Sequence, residues 1–437
     1  MEIPKVEIRS KKLIKPSIPT PTTTLHHHKM GFKDEVVAAI NVRLILFYST
    51  VGDGPDSTSN FLTHLENSLA QCLSRLYPLA GRYNHHIRTI ECNDEGAEFI
   101  QARVLSNVKL QDILDPKLNP EILNNLLPCG VCDAGAISDP LLAVQVTMFD
   151  CGGLALGVSV SHKVADAATL CIFLNDWAAV SREEITLDSI CPSFNSSVFL
   201  PPRGFMDYDP PLPRTFKSKL ENKYKTKRFS FSEKAISLIR AKHNGGRRYS
   251  RVQLVSAMMW KALIDVDQEK HGHARASVLH QPVNLRGKTA PPIPNDACGN
   301  LGGFIITQCS IAQKSMGFTC LLDLLHDSIK ETVDNLGKLS SKSEEFQTFV
   351  FNSFVKSETY DELVSVFPFT SWCKFPFYEV DFGLGRPVWV ASSAGPASMV
   401  TLLDGQGGFG VDAYANLEIE DMQRFERLLD MSLWSSE

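Results

Sequence analysis

The N-terminal half of the chain combines short apolar runs with one long amphipathic stretch. Between residues 60 and 76 leucines recur every three or four positions, which is the spacing of a helix with one buried face. The apolar runs 41–48 and 154–161 predict buried strands. The segment 167–180 after the second run predicts another helix. This half therefore mixes strands and helices.

Turn residues predict two hairpins in the same half. The first joins strands 89–92 and 97–104 across a turn that ends in glycine. The second joins strands 141–149 and 154–161 across the sequence Asp-Cys-Gly-Gly. The second hairpin would deliver the residues that follow 161 to the edge of a sheet.

The C-terminal half repeats this order of elements. A strand is predicted at 227–231 and a long helix from Ser250 onward. Strands 398–403 and 410–415 form a hairpin, and a helix follows over 419–434. A hairpin followed by a helix in both halves predicts an α/β (α+β) protein with two domains of related design.

Prolines and aromatic residues replace the periodic pattern between residues 191 and 214. We interpret this stretch as a crossover between domains. The predicted domains are 1–190 and 221–437, with 191–220 as the linker.

Composition narrows the possible functions. The chain has 437 residues, 43% hydrophobic and 21% charged, with a net charge of −5, which argues against a general nucleic-acid binder. No apolar run approaches membrane-spanning length, and the N-terminus lacks the apolar region of a secretory signal. The eleven cysteines then indicate reduced thiols. We expect a cytoplasmic protein without a membrane partner.

The main chemical candidate is His162 with Asp166, directly after the predicted strand 154–161. Chance alone gives roughly 0.7 matches to this spacing in a chain of this composition, so context must decide. An imidazole titrates near neutrality and can act as a proton acceptor. Asp166 stands among small apolar residues, where a carboxylate needs a partner, and Arg286 is a candidate. The plain alternative is a hydrogen-bonded histidine and a carboxylate on a helix face.

A second candidate site combines Thr370 and Trp372 with the run 381–385. Thr370 and Trp372 carry hydroxyl and indole donors that could stabilise an oxyanion. The run from Asp381 to Gly385 follows them. Taken locally, an aromatic core strand that ends in a Gly-Pro turn explains these residues better.

A third candidate is the start of the long helix. Ser250 with Gln253 fits a capping box, and three arginines, Arg247, Arg248 and Arg251, surround the helix N-terminus. Such a terminus can bind a phosphate group. A solvated basic turn is an equal alternative.

Metal and dinucleotide sites are not expected. Gly405, Gly407 and Gly410 match a dinucleotide-binding pattern, but a strand follows where a helix is needed. Cys129 and Cys132 form a single C-x-x-C motif without the second pair of ligands that a zinc site needs. The histidines at 26–28 are typical of a surface cluster.

In order and spacing these segments resemble the plant BAHD acyltransferases along nearly the whole chain. His162 to Asp166 matches the family motif H-x-x-x-D, and Asp381 to Gly385 matches D-F-G-W-G with Leu384 in place of tryptophan. The sequences at 77–82, 284–286 and 299–300 also match. The N-terminal segment is similar to the branch that contains alkaloid acyltransferases, capsaicin synthase and acylsugar acyltransferases.

The resemblance implies a fold and a reaction. The fold is two chloramphenicol-acetyltransferase-like domains with mixed sheets and a channel at their interface, and the segment 368–386 crosses back to the first domain. The implied substrates are acyl-CoA, as co-substrate without a resident cofactor, and a small-molecule alcohol such as a sucrose ester or an alkaloid. We expect the enzyme to be a monomer.

The resemblance also implies a role for each candidate. His162 is the general base and Asp166 the structural partner of Arg286. Thr370 and Trp372 line the reacting centre. Asp381, Gly383 and Gly385 are structural, and Ser250 with its neighbouring arginines Arg247, Arg248 and Arg251 binds CoA. An amide-forming N-acyltransferase, or a non-catalytic relative that binds CoA or a metabolite, is left open.

Overall fold

The computed structural model of the protein describes most of the chain. The described residues are 5–21, 27–50, 55–105, 108–115, 118–130, 139–186, 193–205, 223–243, 246–314, 317–360, 363–393 and 398–429. Cys132, most of the predicted linker and the end of the last predicted helix lie outside these ranges.

The strands differ widely in length. They are β1 (Val6–Ile14), β2 (His27–His28), β3 (Asn41–Tyr48), β4 (Arg82–Asn84), β5 (Thr89–Glu91), β6 (Ala97–Val104), β7 (Leu142–Met148), β8 (Leu154–Ser161), β9 (Ser193–Phe194), β10 (Tyr224–Phe231), β11 (Ala276–Asn284), β12 (Ala297–Cys298), β13 (Gly302–Cys309), β14 (Val364–Ser371), β15 (Trp389–Ala391), β16 (Met399–Asp404) and β17 (Val411–Glu418).

The helices include three of nineteen residues or more. They are α1 (Phe32–Val36), α2 (Pro55–Leu73), α3 (Leu110–Ile113), α4 (Ala167–Ser181), α5 (Ser196–Phe199), α6 (Glu233–Lys242), α7 (Arg251–His271), α8 (Ile311–Lys314), α9 (Gly317–Leu336), α10 (Glu344–Glu358) and α11 (Ile419–Leu428).

The chain forms two compact units. Unit 1 comprises Met1–Arg214, Pro294–Leu301 and Phe375–Ala394, and unit 2 comprises the remaining segments. The segment Pro294–Leu301 belongs to unit 1 although it stands in the middle of the C-terminal half, and no pattern in the sequence indicated this. Its place in unit 1 brings it to the site described below.

Unit 1 contains a six-stranded mixed sheet in the order β1-β6-β7-β8-β3-β15. Only β6 and β7 are parallel neighbours. The central strands β3 and β8 are buried at every position, which explains their nearly continuous apolar sequence. Because β3 and β8 pair along their full length, from Asn41 with Ser161 to Tyr48 with Leu154, the end of β8 is fixed in register.

Unit 2 contains a second six-stranded mixed sheet, in the order β10-β17-β16-β14-β11-β13. Strand β14 runs parallel to both of its neighbours, and the other pairs are antiparallel. The helix α7 packs in the core of this unit and buries Trp260 and Met259 completely. Its first turn carries the predicted capping box of Ser250 and Gln253, and Gly272 ends it in the left-handed conformation.

Most of the elements predicted from local patterns are confirmed. Strand 41–48, the hairpin β7–β8, the start of α7 and the hairpin β16–β17 are present. The helix predicted over 60–76 spans residues 55–73, and a short 3₁₀ turn follows it.

The hairpin predicted from 89–92 and 97–104 is wrong. Strand β5 pairs with β2 and β4 in a small separate sheet, whereas β6 pairs along most of its length with β1 and β7. The eight-residue β6 gains two long ladders in this way, while the three-residue β5 offers only a short one. Long-range pairing therefore overrides the local turn signal.

The described helices include none with the length and apolar character needed to cross a bilayer. The described side chains also contain no group of three or more potential metal ligands.

Candidate active site

The main chain of His162 is fixed on both sides. Strand β8 ends at Ser161, and the next residue donates its N–H to the Ile40 carbonyl at 2.7 Å. The His162 carbonyl accepts a hydrogen bond of 2.7 Å from the Asn300 side chain. The ring is thus carried by a backbone position that a sheet and a side-chain amide both hold.

The residues between the strand and the helix form a tight turn around Ser161. The N–H groups of Val164 and Ala165 both donate to the Ser161 carbonyl, at 3.1 and 3.2 Å. Asp166 then caps α4, and its Oδ1 accepts from the N–H and the hydroxyl of Thr169 at 2.8 and 2.9 Å. The sequence H-x-x-x-D therefore folds as a hydrogen-bonded turn that ends in an N-cap.

The electrostatics favour a neutral imidazole. The side chain of His162 is partly buried. Burial lowers the pKa of His162 below its ordinary value of 6.5, and the nearby Asp166 carboxylate opposes this only in part. Within the described ranges, Nδ1 of the ring has no hydrogen-bond partner. A neutral ring on a fixed backbone can accept a proton at neutral pH.

Asp166 is occupied by structural bonds. Besides Thr169, its Oδ2 accepts the N–H of Leu301 at 3.2 Å. None of these bonds goes to the His162 ring. Arg286 belongs to unit 2, where it is 5% exposed and its guanidinium donates to the Asn284 side chain at 3.1 Å. Its pairing with Asp166 stays a prediction.

Asp381 forms a compact turn in unit 1. Its Oδ1 accepts the N–H groups of Gly383 and Gly385 at 2.8 and 2.9 Å. Both glycines have positive φ, 88° and 81°, which only glycine adopts at low cost. The intervening Leu384 is partly buried, and neither of these two hydrogen bonds involves it. These contacts support a structural function for the motif.

Phe382 anchors the same turn. It is 4% exposed and packs edge-on against Trp177 and Tyr48. The hydroxyl of Tyr48 donates to the Val380 carbonyl at 2.8 Å. The turn is thereby attached to β3 and α4 of unit 1.

Thr370 and Trp372 lie at the end of β14 in unit 2. Thr370 stands beside Thr401 of β16, and the Trp372 N–H donates to the Leu402 carbonyl at 2.8 Å. Both side chains are partly buried. Their function at a reacting centre stays a prediction.

Two of the three arginines at the start of α7, Arg247 and Arg251, are paired with carboxylates of their own unit. Arg251 contacts Asp404 at 2.7 Å, and Arg247 contacts Asp327 and Asp323 at 2.7 and 3.3 Å. A CoA phosphate would have to compete with these ion pairs. The prediction that Ser250 and the arginines, Arg248 included, bind CoA stays open.

Two further residues touch the His162 turn that spacing could not reveal. Asn300 belongs to a short match to the family, and Asp34 belongs to no motif. Asn300 stands 138 residues from His162 and 266 residues from Asp34. No periodic or motif signal spans such separations.

Comparison with known proteins finds relatives along nearly the whole chain. The model described as the Transferase family matches residues 4–431. A malonyltransferase from Salvia splendens that acts on a pelargonidin glucoside is 33% identical over 97% of this chain and 98% of its own. Acetyl-CoA-benzylalcohol acetyltransferase from Clarkia breweri is 34% identical over 97% and 98%.

A solved structure extends the agreement to the fold. Vinorine synthase from Rauvolfia serpentina is 34% identical over 96% of both chains. Its crystal structure superposes with a TM-score of 0.82 and covers 98% of each chain. The predicted α/β (α+β) class with two mixed-sheet domains is confirmed. The chain belongs to the Transferase family of plant BAHD acyltransferases.

Proposed function

We propose that this acyltransferase moves an acyl group from a CoA thioester to a hydroxyl group of a plant specialised metabolite, with His162 as the general base. The observation that carries the proposal is the placement of His162: its backbone is held by hydrogen bonds to Ile40 and Asn300, and burial lowers the pKa of the ring, which keeps it neutral at neutral pH. A proton acceptor must be unprotonated and held in place.

The proposed reaction has two steps. Neutral His162 removes the proton of the acceptor hydroxyl while the oxygen attacks the thioester carbonyl carbon. The tetrahedral intermediate collapses, the carbon–sulfur bond breaks, and the CoA thiolate takes the proton from the imidazolium. The products are an ester and free CoA, and no acyl-enzyme is required.

Relatives support the substrate classes. The name of the Clarkia breweri relative includes both acetyl-CoA and an alcohol acceptor. The Salvia splendens relative is a malonyltransferase of a glucoside, and stemmadenine O-acetyltransferase from Catharanthus roseus, 33% identical, is also named for transfer to oxygen. We therefore propose a hydroxyl acceptor, of acylsugar or alkaloid type. No observation favours an amine.

The site residues outside unit 1 enter the proposal with defined functions. Thr370 and Trp372 would line the reacting centre, and Arg286 would pair with Asp166. Ser250 and the arginines Arg247, Arg248 and Arg251 would hold the CoA phosphates. The match to the family supports the functions of Thr370, Trp372 and Arg286, and the capped N-terminus of α7 supports the phosphate site.

We further propose that the enzyme works in the cytoplasm as a monomer. The eleven cysteines are scattered along the chain without the pattern of a disulfide framework, which supports a reducing compartment. Light scattering after gel filtration should give a mass near 48.5 kDa. A mass twice as large would contradict the monomer.

The test is a substrate panel. The purified protein is incubated with acetyl-, malonyl-, branched and aromatic acyl-CoAs and with sucrose-ester, alkaloid, simple alcohol and amine acceptors. We expect release of one thiol per ester formed, with the ester identified by mass. Amide formation at a higher rate would replace the proposal by N-acylation. Saturable CoA binding without release of thiol from any pair would indicate a binding protein.

A further inference from the structure

Three consecutive residues, Gly299, Asn300 and Leu301, connect to every part of the His162 turn. The Gly299 N–H donates to the Thr169 hydroxyl at 3.0 Å, and the Gly299 carbonyl lies 3.1 Å from the same hydroxyl. Asn300 reaches the His162 carbonyl, and the Leu301 N–H reaches Asp166. We refer to residues 299–301 as the strap. It holds the end of β8 and the cap of α4 together.

A buried carboxylate holds the strap in turn. Asp34 is 2% exposed, and its Oδ1 accepts from the N–H of Asn300 at 3.0 Å and from the Asn300 side chain at 2.8 Å. Its Oδ2 accepts from the Gly31 N–H at 2.7 Å and the Ser196 hydroxyl at 2.6 Å. Four donors satisfy this carboxylate, which is what a buried charge requires.

The Asn300 amide bridges Asp34 and His162 with a single nitrogen. Its Nδ2 donates one hydrogen to Asp34 Oδ1 and the other to the His162 carbonyl. Both partners can only accept, so the amide has one orientation that satisfies them. The amide thereby links the His162 backbone to Asp34, in addition to the bond that His162 makes with Ile40.

A neighbouring contact joins the same two segments. Lys163 is 3% exposed, and its Nζ lies 3.2 Å from the Glu35 carbonyl and 3.5 Å from the Asp34 carbonyl. The residue directly after the base is therefore also attached to α1. Two independent contacts tie this short helix to the motif.

We propose that Asp34 and Asn300 are positioning residues for His162: Asp34 fixes the Asn300 amide, and the amide fixes the backbone that carries the base. The inference rests on the proposed function of His162. A displacement of the base by a fraction of the hydrogen-bond length lowers the rate of proton transfer, while sites that bind CoA are untouched.

Ser196 provides a matched control. Ser196 and Asn300 are both buried, and both donate hydrogen bonds to the Asp34 carboxylate. Unlike the Asn300 amide, the Ser196 hydroxyl does not bond to His162 in the described structure. Ser196→Ala keeps the Cβ that packs against Gly299 and removes one hydrogen bond. Asn300→Ala also leaves Asp34 with its other donors, but it breaks the link to the base.

The experiment compares four purified variants: Asn300→Ala, Asp34→Asn, Ser196→Ala and His162→Ala. We measure kcat, the KM for acyl-CoA, the pH dependence of kcat/KM and the unfolding temperature. Asn300→Ala should lower kcat about tenfold to a hundredfold with the KM for acyl-CoA changed by less than about threefold. Asp34→Asn, which can still accept from Asn300, should lose less, and Ser196→Ala should stay within about threefold of wild type.

The pH profile separates positioning from stability. Burial has the largest effect on the pKa of His162, and contact with the Asn300 side chain raises it. Asn300→Ala should therefore move the acid limb to lower pH, while Ser196→Ala should leave it in place. Equal losses of kcat in Asn300→Ala and Ser196→Ala, with unchanged pH profiles, would overturn the inference.

His162→Ala distinguishes a failure of the proposed function from a failure of the positioning inference alone. If it retains turnover, the proposed function fails. If it loses turnover while Asn300→Ala behaves like Ser196→Ala, only the positioning inference fails. Should Asn300→Ala not fold, Asn300→Ser carries the same comparison, because a single hydroxyl hydrogen cannot bridge Asp34 and the His162 carbonyl, and wild-type kcat with an unshifted profile in that variant would overturn the inference.

Discussion

Among the helices that begin with a side-chain cap, α4 and α7 differ in an instructive way. Asp166 caps α4 after His162, and Ser250 caps α7 next to Arg251. At α4 the backbone is held from several segments while the ring nitrogen has no partner in the described structure. At α7 the arginine already pairs with Asp404.

The start of α4 has the properties of a catalytic site, whereas the start of α7 is a basic cluster in which two of the three arginines are already paired. A general base needs fixed surroundings and an unprotonated ring. A guanidinium in an ion pair binds a phosphate only by exchanging partners, which lowers the gain. The two regions therefore make opposite predictions about the size of mutational effects.

The largest effect is expected at the base. His162→Ala should lower kcat about 10²–10⁴-fold, because general-base catalysis contributes that much. The dissociation constant for CoA, measured by calorimetry, should stay near wild type. His85→Ala, at an exposed histidine of the same unit, is the control and should keep full activity. Wild-type turnover in His162→Ala would show that the start of α4 does not carry the catalytic base.

The next effect is expected at the cap. Asp166→Ala leaves the N–H groups of Thr169 and Leu301 without their acceptor and should lower the free energy of unfolding by about 1–3 kcal/mol. Activity should fall together with the folded fraction, as chemical denaturation and kcat would show.

Ser232→Ala is the matched control for this cap. Ser232 caps α6 in unit 2 by accepting from Ala235, so its loss should cost about 0.5–2 kcal/mol without a change in kcat. A fully stable Asp166→Ala with a large loss of rate would instead assign Asp166 to the chemistry.

The smallest effect is expected at α7. Arg251→Ala should raise the KM for acyl-CoA about threefold to tenfold if the guanidinium binds a phosphate, as one charge-assisted contact is worth about 1 kcal/mol. Asp404→Asn, which removes the competing carboxylate, should leave this KM unchanged or lower it. Loss of stability in both variants with no change in KM would make the ion pair purely structural.

The sequence predicts elements whose causes are local. The apolar run of β8, the turn of the hairpin β7–β8 and the capping box of α7 are each contained within a few residues, and the structure has them at those positions. The separation of β5 from β6 was missed because the partners of β6 lie far away in the chain.

The site shows the same limit. The H-x-x-x-D motif indicates His162 and Asp166. The hydrogen bonds that hold them come from Asn300 and Leu301, and Asp34 holds Asn300 in turn. These three residues belong to other segments of unit 1. Tertiary folding brings these donors and acceptors together, and no spacing in the sequence encodes their contact. The sequence was enough to propose His162 as the base, whereas the residues that hold it are visible only in the structure.

The most direct test of the neutral base is the pH dependence of kcat/KM in the wild-type enzyme. Burial lowers the pKa of His162 below 6.5, so the proton-accepting form persists below that pH. We predict that kcat/KM is constant near neutrality and falls tenfold per unit, about in proportion to the neutral fraction, only at pH values below 6.5. A half-maximal value above pH 6.5, or a rate that does not fall in acid, would contradict the account.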